Sequence, residues 1–184
     1  RRGLAHISYK LVGLARHGRD NHDHIIPIGH LAPHTFCGAA DANSDAYLFH
    51  TRLVRIADAL REEDPMRALN RVTLMAEGIG GGSRIGGALE HFAATYARRF
   101  VDGRSVVIIL SDGYDSDPPE HMATALEALK RRGCRIVWLN PLKGWKGYEP
   151  IARGMAAALP YLDLFEAANT LEALAGLDQK LGAI

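Results

Sequence analysis

An α/β domain is predicted for this chain, built on a doubly wound, mostly parallel sheet with helices on both faces. Three observations predict it. Val106-Val-Ile-Ile-Leu110 is an unbroken apolar run rich in β-branched residues, which suits a strand buried on both faces. The run stops at Ser111-Asp112-Gly113. A polar, acidic turn at the carboxyl end of a central strand is where open α/β sheets place their ligand sites. Through the second half of the chain strand-like and helix-like stretches alternate, the order of parallel strands joined by helical crossovers.

Composition sets the bounds. The 184 residues suffice for one α/β domain with a real core, and 47% apolar content fits a globular protein. The net charge of +1 provides no basic field for nucleic acid, and none is expected as a partner. No signal peptide is recognisable and no apolar run is long enough to span a bilayer. Cys37 and Cys134 stand far apart and form no motif, which points to a reducing, cytoplasmic setting. The first residue is Arg1 rather than Met, and the chain is expected to be part of a longer one.

Residues 1–44 read as a divergent N-terminal segment for which poor order is expected, and residues 45–184 as the domain proper. Within the segment, Ile7 to Leu14 has strand character. The cluster His17, His22, His24, His30 and His34 follows, interrupted by Pro27 and Pro33. Zinc is the sharp reading of such a cluster. The spacing matches no familiar ligand pattern and no cysteine pair lies near, so a solvated segment is expected instead.

From Asp45 the pattern becomes regular. Asp45 to His50 reads as a strand, and Leu53 to Ala57 as a second one so close behind that the pair must be a hairpin at the sheet edge. Asp64-Pro65 supplies an N-cap and a proline at the first helical position, with Met66, Leu69, Val72 and Leu74 or Met75 as the apolar face. The glycine-rich stretch Gly78 to Gly87 precedes a helix over Arg84 to Arg99. Glycines before a helix can cradle phosphate, but neither the Walker pattern nor the dinucleotide fingerprint is present. Ser83 is placed either to cap this helix or to turn its hydroxyl towards a ligand. Pro118-Pro119-Glu120 opens a helix to about Arg132, ended by Gly133. Arg135 to Leu139 is the next strand, a helix is expected from Glu149-Pro150 to Leu159-Pro160, and Tyr161 to Phe165 is a last short strand. Thr170 caps the terminal helix.

Several stretches in this order resemble a known family: Asp45-Ala-Tyr-Leu-Phe-His-Thr-Arg-Leu53, Gly81-Gly-Ser-Arg-Ile-Gly86, Ile109-Leu-Ser-Asp-Gly-Tyr-Asp115, Val137-Trp-Leu-Asn-Pro-Leu142, Gly147-Tyr-Glu-Pro150 and Arg153-Gly-Met-Ala-Ala-Ala-Leu-Pro160. They are similar to the von Willebrand factor A (VWA) domains of the CoxE-like family, over about residues 41–178. The resemblance implies the Rossmann-like VWA fold and a metal-ion-dependent adhesion site at the carboxyl edge of the sheet, built from three loops. The third-loop Asp of the family falls on Asp112 and the second-loop Thr on Ser83. The first loop, Asp-x-Ser-x-Ser, is absent from the chain, and residues 15–33 lack the helix that should follow it. A shifted reading frame and true divergence would each produce that loss. Mg²⁺ takes oxygen ligands, but Ser83 and Asp112 alone are too few to hold it firmly, and weak or no Mg²⁺ binding is expected.

The resemblance further implies a non-catalytic binding module. Such a module works with a MoxR-type AAA+ ATPase to mature a client metalloenzyme of the carbon monoxide dehydrogenase type, gripping a partner carboxylate. The alternative is a metal-dependent hydrolase or phosphotransferase using Asp112 and Asp115, with Lys143 or Lys146 as the phosphate-binding lysine.

Overall fold

The computed structural model describes residues 10–16, 44–49, 51–76 and 83–184. Among the described residues six strands form one sheet in the order β3-β2-β1-β4-β5-β6. They are β1 (Lys10–Arg16), β2 (Asp45–Phe49), β3 (Leu53–Arg55), β4 (Ser105–Leu110), β5 (Arg135–Asn140) and β6 (Leu164–Ala167). The helices are α1 (Ala57–Leu60), α2 (Pro65–Ala76), α3 (Ile85–Thr95), α4 (Ala97–Phe100), α5 (Pro119–Lys130), α6 (Arg153–Ala158), α7 (Leu171–Ala175) and α8 (Leu177–Leu181).

The run expected at the centre is there. β4 lies between β1 and β5, and its side chains alternate between two apolar layers. Val107 and Ile109 join Ile85, Leu89, Phe92, Met122, Leu126 and Met155 on one face. Ile108 joins Leu60, Leu174, Leu177 and Leu181 on the other. β5 alternates in step, with Ile136 and Trp138 on the first face and Val137 and Leu139 on the second. A strand covered on both sides can be apolar throughout, which is why this part of the sequence carries no polar alternation.

Parallel pairing is confined to β4–β5 and β5–β6. β1 pairs antiparallel with both of its neighbours, so β2, β4, β5 and β6 share one direction while β1 and β3 oppose it. Four of the six strands thus share one direction and β4-β5-β6 form a parallel half, but three of the five pairings are antiparallel, because the second central strand is reversed and comes from the N-terminal segment. β3 forms the antiparallel edge expected of the hairpin. The buried Asp45 carboxylate locks that hairpin, accepting from Tyr47 Oη at 2.6 Å and Arg55 Nε at 3.0 Å.

Several boundaries differ from the sequence reading. Ala57 opens the short helix α1 rather than ending a strand. Asp64 caps α2 as expected, its Oδ1 accepting from Met66 N at 2.9 Å, but Met66 and Leu74 point to solvent and Ala68 is the buried residue. The helix after Ser83 breaks at Tyr96, where that ring packs on Tyr47 at 4.6 Å between centroids. The helix placed at Glu149 begins only at Arg153. Its start is set by contact with the loop after β4, since a side chain at Gly154 would lie 2.9 Å from the Gly113 carbonyl. The last strand falls at Leu164 rather than Tyr161, because a 3₁₀ turn occupies Leu159–Tyr161.

Candidate functional site

Asp112 leaves β4 at the carboxyl edge of the sheet, and the backbone on either side of it is held by β5. Ser111 N donates to Leu139 O at 3.0 Å, continuing the ladder one residue beyond the strand. The buried Trp138 indole donates to Ser111 O at 2.9 Å. Asn140, fully buried, donates through Nδ2 to Asp112 O at 3.1 Å and to Tyr148 Oη at 2.8 Å. Its Oδ1 accepts from Leu142 N at 2.8 Å. One amide thus ties the loop after β4 (residues 111–118) to the loop after β5 (residues 141–152). Buried polar groups must be satisfied, and this side chain is satisfied by carrying both loops. Burial pushes the Tyr148 hydroxyl above the usual tyrosine value against the opposing Asn140 hydrogen bond, with Tyr114 and Asp112 adding to the rise.

The turn itself depends on Gly113. Its φ of +80° is a left-handed conformation, and a Cβ there would sit 2.8 Å from Met155 Sδ. The Asp112 carboxylate is half-buried and accepts from Tyr114 N at 3.1 Å.

The other two carboxylates of the loop face α3. Asp115 accepts from Ile85 N at 2.9 Å and Gly86 N at 2.8 Å, and from Asp117 N at 3.0 Å. Asp117 accepts from Gly87 N and from Arg84 Nε, both at 2.8 Å. The first three N–H groups of α3 are therefore all taken, and Ala88 N already bonds to Arg84 O. A helix start leaves such donors without intrahelical partners and favours negative charge. Here the protein's own acids fill the place. Burial acts against the Asp117 charge, but the hydrogen bonds from Arg84 and Gly87 outweigh it and hold the carboxyl below its usual value. Gly86 permits the approach, since a Cβ there would lie 2.8 Å from His121 Cβ on α5 and 3.2 Å from Asp115 Oδ2.

This corrects one reading of the sequence and agrees with another. Ser83 does not cap α3, whose first residue follows Arg84 with no side-chain cap of its own. The helix start is occupied by carboxylates, in keeping with the lack of a phosphate-binding pattern in the glycine-rich stretch. The signal for this lay in Asp112-Gly-Tyr-Asp-Ser-Asp117, an acid-rich loop set against a glycine-rich helix start that lacks its own cap. Asn140, given no role by the sequence beyond its place in the Val137–Leu142 stretch, was missed as the link between loops.

Ser83 and Asp112 both lie on loops at the carboxyl edge. The Ser83 carbonyl accepts from Ser116 N at 2.8 Å and Ser116 Oγ at 2.6 Å, four residues after Asp112. The first loop of the expected site has a different problem. Arg16, the end of β1, pairs with Ser105, the beginning of β4. The reversed strand thus hands the chain on at the edge opposite Asp112. Among the described residues no group of three or more His, Cys, Asp or Glu could hold a metal ion. Hard divalent cations need six or more oxygen ligands, several of them water. One carboxylate with one serine fits such an ion poorly. The histidine cluster from His17 to His34 lies outside the described residues, as does Cys37.

The lysines of the enzymatic alternative also find places. Lys143 bonds to Phe165 O, stands 4.6 Å from the Phe165 ring centroid and 3.8 Å from Glu166, all on β6. Lys146 is exposed. Cys134 is buried, and desolvation pushes its thiol up to about 11, so it offers no thiolate at neutral pH. No helix among the described residues is long and apolar enough to cross a membrane.

The family-specific pieces of the sequence thus meet in one place: Trp138 and Asn140 of one stretch and Tyr148 of another hold the Ser111-Asp112 turn. A profile of the family described as VWA domain containing CoxE-like protein matches residues 35–174. No curated protein and no solved structure matches the chain significantly. With three quarters of its length matched and the motif residues gathered at the carboxyl edge of the sheet, the chain belongs to the CoxE-like family of VWA-domain proteins.

Proposed function

We propose that this chain is a non-catalytic protein-binding module with an incomplete metal-ion-dependent adhesion site. It works beside a MoxR-type AAA+ ATPase in maturing a metalloenzyme of the carbon monoxide dehydrogenase type. The observation that carries the reading is the disposition of the loop acids. Asp115 and Asp117 are spent on the N-terminus of α3, so neither of these neighbours is free to act as an acid or base beside Asp112. Of the two candidate phosphate-binding lysines, Lys143 is drawn to β6 and Lys146 is exposed, which lends the phosphotransferase arrangement no support. What remains is a rigidly held turn at a sheet edge, suited to recognition.

Two measurements on the purified chain test this. Titration calorimetry with Mg²⁺ or Mn²⁺ is expected to give weak or no binding. Saturable micromolar binding, lost in Asp112→Ala, would mean that the site is complete. Incubation with p-nitrophenyl phosphate and Mn²⁺ is expected to give no turnover, and turnover abolished by Asp112→Asn would favour the enzymatic alternative. Partnership with the ATPase is checked by co-purification of the two chains in the presence and absence of ATP.

A further inference from the structure

The edge of the sheet opposite Asp112 is arginine-rich. There α4 leads into β4 and α5 leads into β5, and the two connections touch. Arg132 donates through Nε to Val101 O and through Nη2 to Arg98 O, both at 2.9 Å. A Cβ at Gly133 would lie 3.2 Å from Gly103 Cα, and Val106 of β4 pairs with Arg135 of β5. Arg98, Arg99, Arg104, Arg131, Arg132 and Arg135 therefore belong to one continuous stretch of surface, and all but Arg132 are exposed. Phe100 is exposed among them, with the Arg99 guanidinium 5.5 Å from its ring centroid. Helix C-termini favour cations, but α4 has only four residues, and Arg104 and Arg135 lie beyond both helices.

The acids on these connections do not cancel the arginines. With Lys130 there are seven cations, against the carboxylates of Asp102, Glu127 and, from the residue before β6, Asp163. Asp163 holds Lys130 at 2.8 Å and stands 3.9 Å from Arg135; Glu127 lies 3.1 Å from Arg131, and Asp102 4.0 Å from Arg104. A surplus of four positive charges remains on a chain whose net charge is +1, so the rest of the chain carries the opposite sign. Around β3, α1 and α2, by contrast, Arg55, Arg61, Arg67 and Arg71 pair with Asp45, Asp58, Asp64 and Glu62. The positive field is local, and it is made of arginines.

A guanidinium is a planar fork that takes a carboxylate or phosphate through two parallel hydrogen bonds. A nucleic-acid duplex carries a charge about every 1.7 Å and would meet Asp102, Glu127 and Asp163 along with the arginines. A flat anionic membrane would meet them too, and it recruits basic clusters not interrupted by acids. A short peptide can place its carboxylates at the arginines and an apolar side chain on Phe100. We infer that the surface of Arg98, Arg99, Arg104, Arg131 and Arg135 docks an acidic segment of a partner protein, with Arg132 holding the two connections together beneath it. This surface goes beyond the reading of the chain as a binding module: it is a second contact, remote from Asp112 and independent of metal.

The test uses the whole chain at about 0.1 M salt, where charges more than about 10 Å apart are screened from one another. Four probes are compared: a fluorescein-labelled 12-residue peptide alternating Glu with Ser and Leu, the same peptide with Lys in place of Glu, a labelled DNA duplex, and phosphatidylcholine vesicles with 30% phosphatidylserine. Anisotropy reads the first three and co-sedimentation the last. The acidic peptide is expected to bind saturably, equally in EDTA and in Mg²⁺, and to weaken as salt rises. Arg98→Glu should weaken it several-fold, and Arg98→Glu with Arg104→Glu about tenfold, the scale of two exposed ion pairs. Both side chains are exposed and the Arg98 carbonyl that accepts from Arg132 is kept, so urea unfolding should scarcely change. If the double reversal does not fold, Arg98→Gln with Arg104→Gln is read in its place and should still weaken binding several-fold. Arg153→Glu, the same charge change as the single reversal but at the start of α6 beside Gly113, should leave the affinity as it was. Lack of binding by the acidic peptide, equal binding of the Lys peptide, or tighter binding of the duplex or the vesicles overturns the inference. So does indifference to the Arg98 and Arg104 variants, or an equal loss in Arg153→Glu.

Discussion

The loops after β4 and β5 leave neighbouring parallel strands at the same edge, and they treat their polar groups in opposite ways. The first turns inward. Asp115, Ser116 and Asp117 all bond back to α3 or to the residues just before it. The second turns outward. Beyond Asn140, Leu142, Lys143 and Tyr148, its residues Trp145, Lys146, Glu149 and Ile151 are exposed. The difference teaches that acidity in a loop is poor evidence of a ligand site when an uncapped helix start lies opposite. A capping carboxylate and a ligand-binding carboxylate have the same sequence signature, and only the position of the helix separates them.

The comparison breaks most readily at Asp115. Asp115→Ala strands the N–H groups of Ile85, Gly86 and Asp117, each a donor that loses its acceptor. Leaving such groups unpaired costs about 1–3 kcal/mol each where water cannot reach them, and capping losses are typically about 1 kcal/mol. A destabilisation of about 3 kcal/mol is expected in urea unfolding. A loss below about 0.5 kcal/mol would mean that the acid does not hold the helix and is available for other work.

Next in size is the link between the loops. Asn140→Asp keeps the acceptor for Leu142 N but removes the donor to Asp112 O and Tyr148 Oη. About 2 kcal/mol of stability should be lost, the usual scale for a buried polar group left unsatisfied. Hydrogen exchange should rise in both loops together. A rise confined to one would show that Asn140 does not couple them.

The inward loop also carries a pH dependence. On α5, His121 Nδ1 lies 2.7 Å from Glu90 Oε2 of α3, and that hydrogen bond, with Asp117 adding and Arg84 opposing, raises the imidazole above its ordinary value. A raised folded value means that the contribution is fully present below the unfolded pKa of about 6.5 and is lost as pH rises through the folded one. Asp117 has the opposite sign: its folded value is depressed, so its contribution is present above the unfolded value of about 3.9 and is lost as pH falls. Stability should therefore decline modestly from pH 6 to 8, and His121→Gln should flatten that decline. An unchanged slope in the variant would assign it elsewhere.

Much of this was legible in the sequence, for reasons that differ by element. Val106 to Leu110 could be placed because a strand buried on both faces needs no other information. Asp64-Pro65 and Thr170 could be placed because local caps are read within four residues, and both caps form. Asp115 and Asp117 could not, because their partners are about thirty residues away and the decisive feature is an absence, the missing side chains of Gly86 and Gly87. The start of α6 was misplaced for the same kind of reason, since Gly154 and Gly113 set it by contact. The direction of β1 was equally hidden. Strand character in residues near Leu14 says nothing about which way the strand will run between β2 and β4.

The smallest effect belongs to the outward loop. Trp145→Ala should change stability by less than about 0.5 kcal/mol, the range of surface substitutions that touch no cap, core or buried network. The turn that presents the ring is made by backbone atoms, Trp145 N to Leu142 O at 3.0 Å and Tyr148 N to Trp145 O at 3.1 Å, and an alanine keeps both. The indole is 68% exposed, so little apolar area is returned to water when it is removed. Core tryptophans behave otherwise: Trp138 is fully buried and holds Ser111 O, and its truncation would cost about 3–5 kcal/mol. Paired unfolding curves of Trp145→Ala and Trp138→Ala therefore sharpen the contrast between the loops. If Trp145→Ala lost as much stability as a core substitution, the ring would be serving the fold, and the second loop would be an inward one like the first.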